Sequence, residues 1–224
     1  MIRVKEIFES IQGEGLYIGC KQIFIRFCNC NLKCNYCDTE FASDKDYMEF
    51  TPSDLAQYLK DNFDLKTVHS ISLTGGEPLL SVDFLKEFLP LVSSYKIYLE
   101  TNATLSDKLA EVIDFVDIIA SDIKLESAAG IKDTFKFHDK FFEIAQKKEN
   151  FAKIVFNEKI TDDEIKYSCE LAKKYDFPLI LQPECGEHDM DIDTEFAVQI
   201  LDKFLKLYSN VRLIPQVHKF LNLR

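Results

Sequence analysis

The first limits on this 224-residue chain come from what it lacks. A membrane-spanning helix takes about 20 apolar residues, and the longest apolar runs here, such as "DIIA" and "PLILQ", are far shorter. The opening MIRVKEIFES has no apolar core of the kind a secretory signal carries. There is no internal repeat, low-complexity tract or Pro/Gly/Ser-rich linker, so nothing divides the chain, and its length suits one domain with a sizeable core. A dense Lys/Arg run with interleaved aromatics is also missing, and a net charge of −11 repels polyanions. Nucleic acid and membrane are therefore not expected as partners. Cysteine is too sparse for a disulfide scaffold, with seven residues in all. An odd number, four of them clustered, points instead to metal binding in a reducing, cytoplasmic compartment.

What is present is ordinary globular composition, 46% hydrophobic and 29% charged, arranged in two alternating patterns. Short β-branched or aromatic runs predict buried strands at 22–27, 70–73, 96–100, 117–121, 152–156, 178–182 and 211–215. Helical periods lie between most of them, at 51–63, 81–95, 105–115, 161–175 and 193–208. Thr51 and Thr161 stand as N-caps, with Pro52 at the first helical position of one helix and acidic residues in the first turn of the other. Repeated strand–helix alternation predicts an α/β fold with a parallel sheet. A complete eight-fold barrel usually takes about 250 residues, so the expectation is an incomplete (β/α) barrel of about six parallel strands.

Polar and glycine-rich features fall after the predicted strands: the cysteine run after 22–27, "TGGEP" (74–78) after 70–73, and "TN" (101–102) after 96–100. "SDIK" (121–124), "QPEC" (182–185) and "QVHK" (216–219) end or follow the later strands. Parallel sheets carry their sites on that edge, so these features predict one shared site.

Its centre is "RFCNCNLKCNYCDTEF" (26–41), with Cys28, Cys30, Cys34 and Cys37. Thiolates at this spacing suit zinc or an iron–sulfur cluster, and spacing alone leaves both open. Cys28, two residues before Cys30 at a strand end, also fits a small buried hydrophobe, as does Cys169 within a helix. Gly75 and Gly76 permit close backbone approach, and Glu77 offers a negative charge to an ammonium group. His69 and His138 read as structural or exposed residues, His138 within a polar stretch, and His188 lies in an acidic loop.

C-x3-C-x-aromatic-C, with Tyr36 as the aromatic, followed by "GGEP", resembles the radical S-adenosylmethionine (SAM) superfamily. "IFESIQGEGLYIG" (7–19), Asp38-Thr39 after the last cysteine, and the ending "IPQVHKFLNLR" closely resemble its 7-carboxy-7-deazaguanine synthase family over nearly the whole length. That resemblance implies a lyase that converts 6-carboxy-5,6,7,8-tetrahydropterin to 7-carboxy-7-deazaguanine, on the route to queuosine and other 7-deazapurines, with release of ammonia. It implies a [4Fe-4S] cluster, SAM and Mg²⁺, an electron donor such as flavodoxin or ferredoxin, and a homodimer. It implies one radical SAM domain over 1–224, with a substrate-binding segment at 1–21, a core at 22–185 and a closing extension at 186–224.

Residue by residue, the resemblance gives the cluster to Cys30, Cys34 and Cys37. Around SAM it sets Tyr36, Asp38, Gly76, Ser121, Asp122, Lys124, Gln182, Glu184 and Cys185, to which Glu77 is added by its charge. It gives Mg²⁺ to Thr39 and the pterin to Ile11, Gln12, Gly13, Glu14, Arg26, Thr74 and His218, with the Arg224 carboxylate within reach. The chain departs from the family at Cys28-Asn29, where glycine is often found, at Ala103, and in a "SDIK" one residue longer than the usual Ser-Pro-Lys. A glycyl-radical-enzyme activating protein and a non-catalytic zinc-stabilised module are the alternatives.

The three-cysteine reading predicts that Cys28→Ala keeps the cluster and most activity while Cys34→Ala loses both. Iron content and visible absorption check this, and equal loss in the two variants restores a four-thiolate site.

Overall fold

The structure is a computed structural model that describes residues 1–37, 47–186, 190–221 and 223. Nine strands form one sheet in the order β3-β1-β2-β4-β5-β6-β7-β8-β9. Strands β2 (Lys21–Phe27), β4 (Ser70–Gly75), β5 (Ile97–Thr101), β6 (Ile118–Asp122), β7 (Glu149–Phe156), β8 (Leu179–Pro183) and β9 (Val211–Leu213) run parallel. Among the described residues the seven predicted runs thus form seven parallel strands, and β1 (Ile2–Ile11) and β3 (Met48–Phe50) extend one edge antiparallel. Among the described residues no pairing joins β9 to β3, so the sheet is open, an incomplete barrel as expected. Strand β1 was not expected: its "IRVKEIFESI" mixes charge and apolar residues because β2 covers one side of it and only the short β3 the other.

The helices form where capping and periodicity place them. In α1 (Pro52–Asn62) the Thr51 hydroxyl accepts from the Asp54 N–H at 3.2 Å. The span 81–95 breaks into α2 (Val82–Phe88) and a 3-10 turn at Leu89–Val92, because Pro90 has no N–H for an α-helical bond. Helices α3 (Ser106–Val112) and α4 (Glu126–Ala129) follow β5 and β6. The stretch around His138 is not a polar loop but α5 (Phe135–Ala145), whose His138 is fully buried among Phe135, Phe142 and Tyr167. Burial pulls that imidazole down to about 4, so it packs as a neutral ring.

Helix α6 (Asp162–Tyr175) opens with a reciprocal capping box between Thr161 and Glu164. Glu164 does more than cap, since its other oxygen accepts from the Ser127 N–H at 2.9 Å and so ties α6 to the first turn of α4. Helices α7 (Thr194–Leu207) and α8 (Val217–Phe220) complete the chain, α7 capped by Asp193.

Two apolar layers result. The large one lies between the sheet's outer face and the helices and includes Ile25, Leu73, Leu99, Phe141, Phe142 and Phe204. A small one fills the inner face: Tyr98, Ile118, Ala120, Phe151 and Ile180, with Leu16, Tyr17 and Ile214 against it. Residues two apart on a strand share a face. The same inner rows therefore continue from Tyr98 to Glu100, Ala120 to Asp122, Phe151 to Lys153 and Ile180 to Gln182. The apolar plug is the floor on which a polar upper layer stands.

Removing one half of the capping box with Thr161→Ala should cost about 1 kcal/mol, a melting-temperature drop of roughly 2–4 °C for a chain of this size. Glu164→Ala should cost more, because it also frees the Ser127 N–H. Thermal unfolding of the two variants checks the order.

Candidate active site

The cavity above the plug is lined by residues from every parallel strand end from β2 to β8 and from both ends of the chain. Cys30, Cys34 and Cys37 share one wall with Tyr36, Asp122 and Lys124. Cys28 does not line it. The charges that reach Cys28 come from Lys5 and Arg3, whereas Cys30 and Cys34 interact electrostatically with one another, with Cys37 and with Lys124. Three thiols thus face one space and the fourth faces elsewhere.

Among the described residues no three His, Cys, Asp or Glu side chains stand close enough to hold a single metal ion. A zinc ion with Zn–S bonds of about 2.3 Å would draw its thiolates to roughly 3.8 Å from one another. A cluster that gives each thiolate its own iron fits a wider spacing. The donor set also suits a cluster: the Leu32 N–H lies 3.5 Å from Cys30 Sγ and the Asn102 amide nitrogen 4.0 Å from it, and hydrogen bonds to ligand sulfurs help set a cluster's potential. Burial pushes the Cys30 and Cys34 thiols up, so metal loading must release their protons. None of the seven cysteines is in a disulfide.

Backbone and side-chain hydrogen bonds hold the cysteine loop. Gly76 donates its N–H to Phe27 O at 3.0 Å and Glu77 to Asn29 O at 2.6 Å. A Cβ on Gly76 would lie 1.9 Å from Asn29 O, so only glycine admits the loop here. Opposite, Asn102 donates to Asn31 Oδ1 at 2.8 Å, and Asn31 donates to Thr104 Oγ1 at 2.9 Å. Ala103, where the family often has glycine, holds φ at +57°, the left-handed region that explains the glycine preference.

Glu77 lies apart from the cavity residues. Its carboxylate does not face the cavity but points inward, accepting from Leu79 N, Thr101 Oγ1 and Asn102 N at 2.8–3.0 Å. Burial pushes this carboxyl up to about 7 even though all three donors favour its charge. Its role is to clamp the end of β4 to the end of β5. Ser121 is likewise buried and off the cavity, since alternation along β6 turns it away from the face that Asp122 presents.

The other wall is where the two chain ends meet. Val217 donates its N–H to Gly13 O at 2.9 Å, and Gln216 donates to Glu14 Oε1 at 2.6 Å. His218 lies so close that a Cβ on Gly13 would sit 2.5 Å from it. Ile11, Gln12, Gly13, Glu14, Arg26, Thr74 and His218 all line the cavity. Gln12, however, is spent on the scaffold: its amide donates to Glu100 and Gln22 and accepts from the Glu14 N–H. Arg26 gives its Nε to Glu6 at 2.7 Å, which occupies one edge of the guanidinium. Gln182 lines the cavity, almost fully buried, with neither amide atom hydrogen-bonded within the protein, as a site that awaits a polar ligand would have it. Glu184 is held by Asn157 at 2.7 Å, and Cys185 and Lys219 stand beside it. Asp38, Thr39, His188 and Arg224 lie outside the described residues.

Two charged groups were not expected. Glu100 on β5 accepts from Thr74 Oγ1 at 2.7 Å as well as from Gln12. Lys153 on β7, 3% exposed, lies 2.5 Å from Glu14 and 3.6 Å from Asp122, whose other oxygen is 3.2 Å from Lys124. Burial alone would raise the Glu14 carboxyl, but the Lys153 charge and the bonds from Lys153 and Gln216 outweigh it and hold it at about 2. The signal for both residues was a charge inside a strand that otherwise reads as apolar.

Comparison with known proteins places the chain clearly. The model of the "Radical SAM superfamily" matches residues 24–183. The 7-carboxy-7-deazaguanine synthase of Geobacter sulfurreducens is 38% identical, covering 97% of this chain and 96% of the relative. That of Archaeoglobus fulgidus is 37% identical, covering 98% and 97%. Among solved structures, QueE from Escherichia coli superposes with a TM-score of 0.65 at 18% identity, covering 97% of this chain and 94% of that one. A radical SAM methyltransferase from Sphaerobacter thermophilus gives a TM-score of 0.62 at 11% identity, covering 88% and 66%. These two likenesses concern the fold.

Gly76→Ala should displace the cysteine loop while sparing the sheet. The expected result is a melting temperature close to the parent's with low iron incorporation and activity down by about 100-fold, the scale on which misplacement near 1 Å acts. Normal iron loading in this variant would show that the loop tolerates the shift.

Proposed function

The chain belongs to the 7-carboxy-7-deazaguanine synthase family of the radical SAM superfamily, and from that premise we propose that its cavity converts 6-carboxy-5,6,7,8-tetrahydropterin to 7-carboxy-7-deazaguanine with release of ammonia. As a radical SAM enzyme it works with a [4Fe-4S] cluster and SAM. The observation that carries the reading is the cavity's two-sidedness. Three thiols stand on one wall and the joined chain ends, Gly13–Glu14 with Gln216–His218, on the other.

In this reading Cys30, Cys34 and Cys37 hold the cluster, and Tyr36, Asp122, Lys124 and Gln182 surround SAM. When bound, cluster and SAM would supply radical chemistry for hydrogen-atom abstraction. The chain's own residues bind, orient and exclude water. The Lys124 ammonium lies 5.2 Å over the Tyr36 ring, which fixes that ring against the wall. Glu14, held ionised, offers an acceptor to the donor-bearing guanidine-like edge of the pterin. Thr74 and Glu100 extend that row of acceptors, and Arg26 faces the substrate carboxylate with a charge-assisted bond. Segments 1–21 and 186–224 act together as the substrate wall. Mg²⁺, with Thr39 among its ligands, belongs to the same reading, as do a flavodoxin- or ferredoxin-type donor, a homodimer and a cytoplasmic setting.

Anaerobic reconstitution with iron and sulfide should give a brown protein that turns over the carboxytetrahydropterin with SAM and Mg²⁺ and releases ammonia. A colourless protein that carries one zinc would reject the reading. A brown protein inert toward the pterin would favour the activating-protein alternative.

A further inference from the structure

The reaction reading assigns no role to Lys153, the most buried charge in the cavity. It stands in the apolar strand run "FAKIVF" (151–156), on the inner face, 3% exposed. Its register partner on β6 is Asp122. Glu14, 139 residues earlier in sequence, comes back over the sheet to meet it at 2.5 Å. Asp122 belongs to the cysteine wall and Glu14 to the wall of the joined chain ends, so one ammonium spans the two. Each carboxylate's second oxygen is held on its own side: Asp122 by Lys124 at 3.2 Å, Glu14 by Gln216 at 2.6 Å. Glu100 adds a third negative charge within electrostatic reach.

An ion pair that served the scaffold alone would need one partner and no cavity. Here the cation sits at the junction of two ligand walls, and it cannot serve both carboxylates equally, being 2.5 Å from one and 3.6 Å from the other. A cationic ligand group that arrives beside Asp122 competes for that carboxylate and leaves the ammonium to Glu14. The pterin-facing acceptor is then held more firmly.

We propose that Lys153 is a positioning residue that ties Glu14 to Asp122 and thereby couples the two ligands, so that SAM on one side raises the affinity for the pterin on the other. This rests on the functional reading above. Coupling is reciprocal by thermodynamic necessity. The pterin therefore raises the affinity for SAM by the same factor.

The test uses cluster-loaded enzyme and titrates SAM with and without the carboxytetrahydropterin. The wild type should show a coupling factor of about 5- to 150-fold, the ordinary range for linked sites. Lys153→Met should keep its iron and visible absorption, at a lower melting temperature because Glu14 and Asp122 lose their cation, while the factor falls to within about twofold of unity, the limit of no linkage. The pterin KM should rise more than kcat falls. Lys153→Arg, which keeps a charge between the carboxylates, should recover part of the coupling.

A loaded Lys153→Met enzyme with wild-type coupling overturns the proposal. So does failure of both Lys153→Met and Lys153→Gln to load a cluster that Lys153→Arg holds, which would make the residue purely structural. A wild-type holoenzyme that binds SAM but neither binds nor converts the pterin sinks the functional reading instead.

Discussion

The site depends on the two-residue period of the strands and on the apolar plug it builds. Tyr98, Ala120, Phe151 and Ile180 close the inner face of the sheet, and the next inward residue on each strand is Glu100, Asp122, Lys153 or Gln182. With hydrocarbon below and protein around, these groups lose most of their hydration. Lys153 and Gln182 are 3% and 1% exposed. Desolvation makes every charge on this floor costly unless it is paired, and it makes each pairing strong. The same constraint sets Ser121 off the cavity face that Asp122 presents: one step along β6 reverses the face.

Charge pairing is the answer the molecule gives to that cost. Carboxylates Glu14, Glu100 and Asp122 meet ammoniums Lys124 and Lys153 and the amides of Gln12 and Gln216. The pairing runs across elements distant in sequence, so the upper layer braces the open sheet as well as lining the cavity. Glu77 uses a different solution: three donors surround it, and burial still pushes it up to about 7. Glu77, 1% exposed, and Glu14, 18% exposed in its side chain, thus differ in proton affinity, the second having a cation beside it and more access to water.

The parallel strands, the capped helices and the edge that carries the site were legible in the sequence because each rests on local signals: β-branched runs, Thr51 and Thr161 caps, polar residues after each strand. Cys30, Cys34 and Cys37 were legible through spacing and Tyr36. Cys28, read as the surplus thiol, does not line the cavity. What stayed hidden was long-range. β1 reads as a mixed segment until β2 pairs with it. Glu77 reads as a ligand-facing carboxylate until Thr101 and Asn102, more than 20 residues on, take it. Gln12 reads as a substrate contact until Glu100 claims its amide. Lys153 offered one local clue, a lysine inside an apolar strand, and that clue has meaning only once Glu14 is seen beside it.

The meeting of the chain ends carries the argument one step further. Glu14 is fixed by Gln216 and Lys153, and Gly13 by Val217 and His218, so the substrate wall exists only when residues about 200 apart have met. The cysteine loop needs none of this. It is held by Gly76, Glu77, Asn102 and Thr104 from the turns after β4 and β5, and by Ala129 of α4, whose carbonyl accepts from the Asn35 N–H at 2.9 Å. Closing the longer loop costs more chain entropy, so the wall built from the joined segments costs more to order than the cysteine wall, and Lys153, 2.5 Å from Glu14 and 3.6 Å from Asp122, stands where the two walls meet.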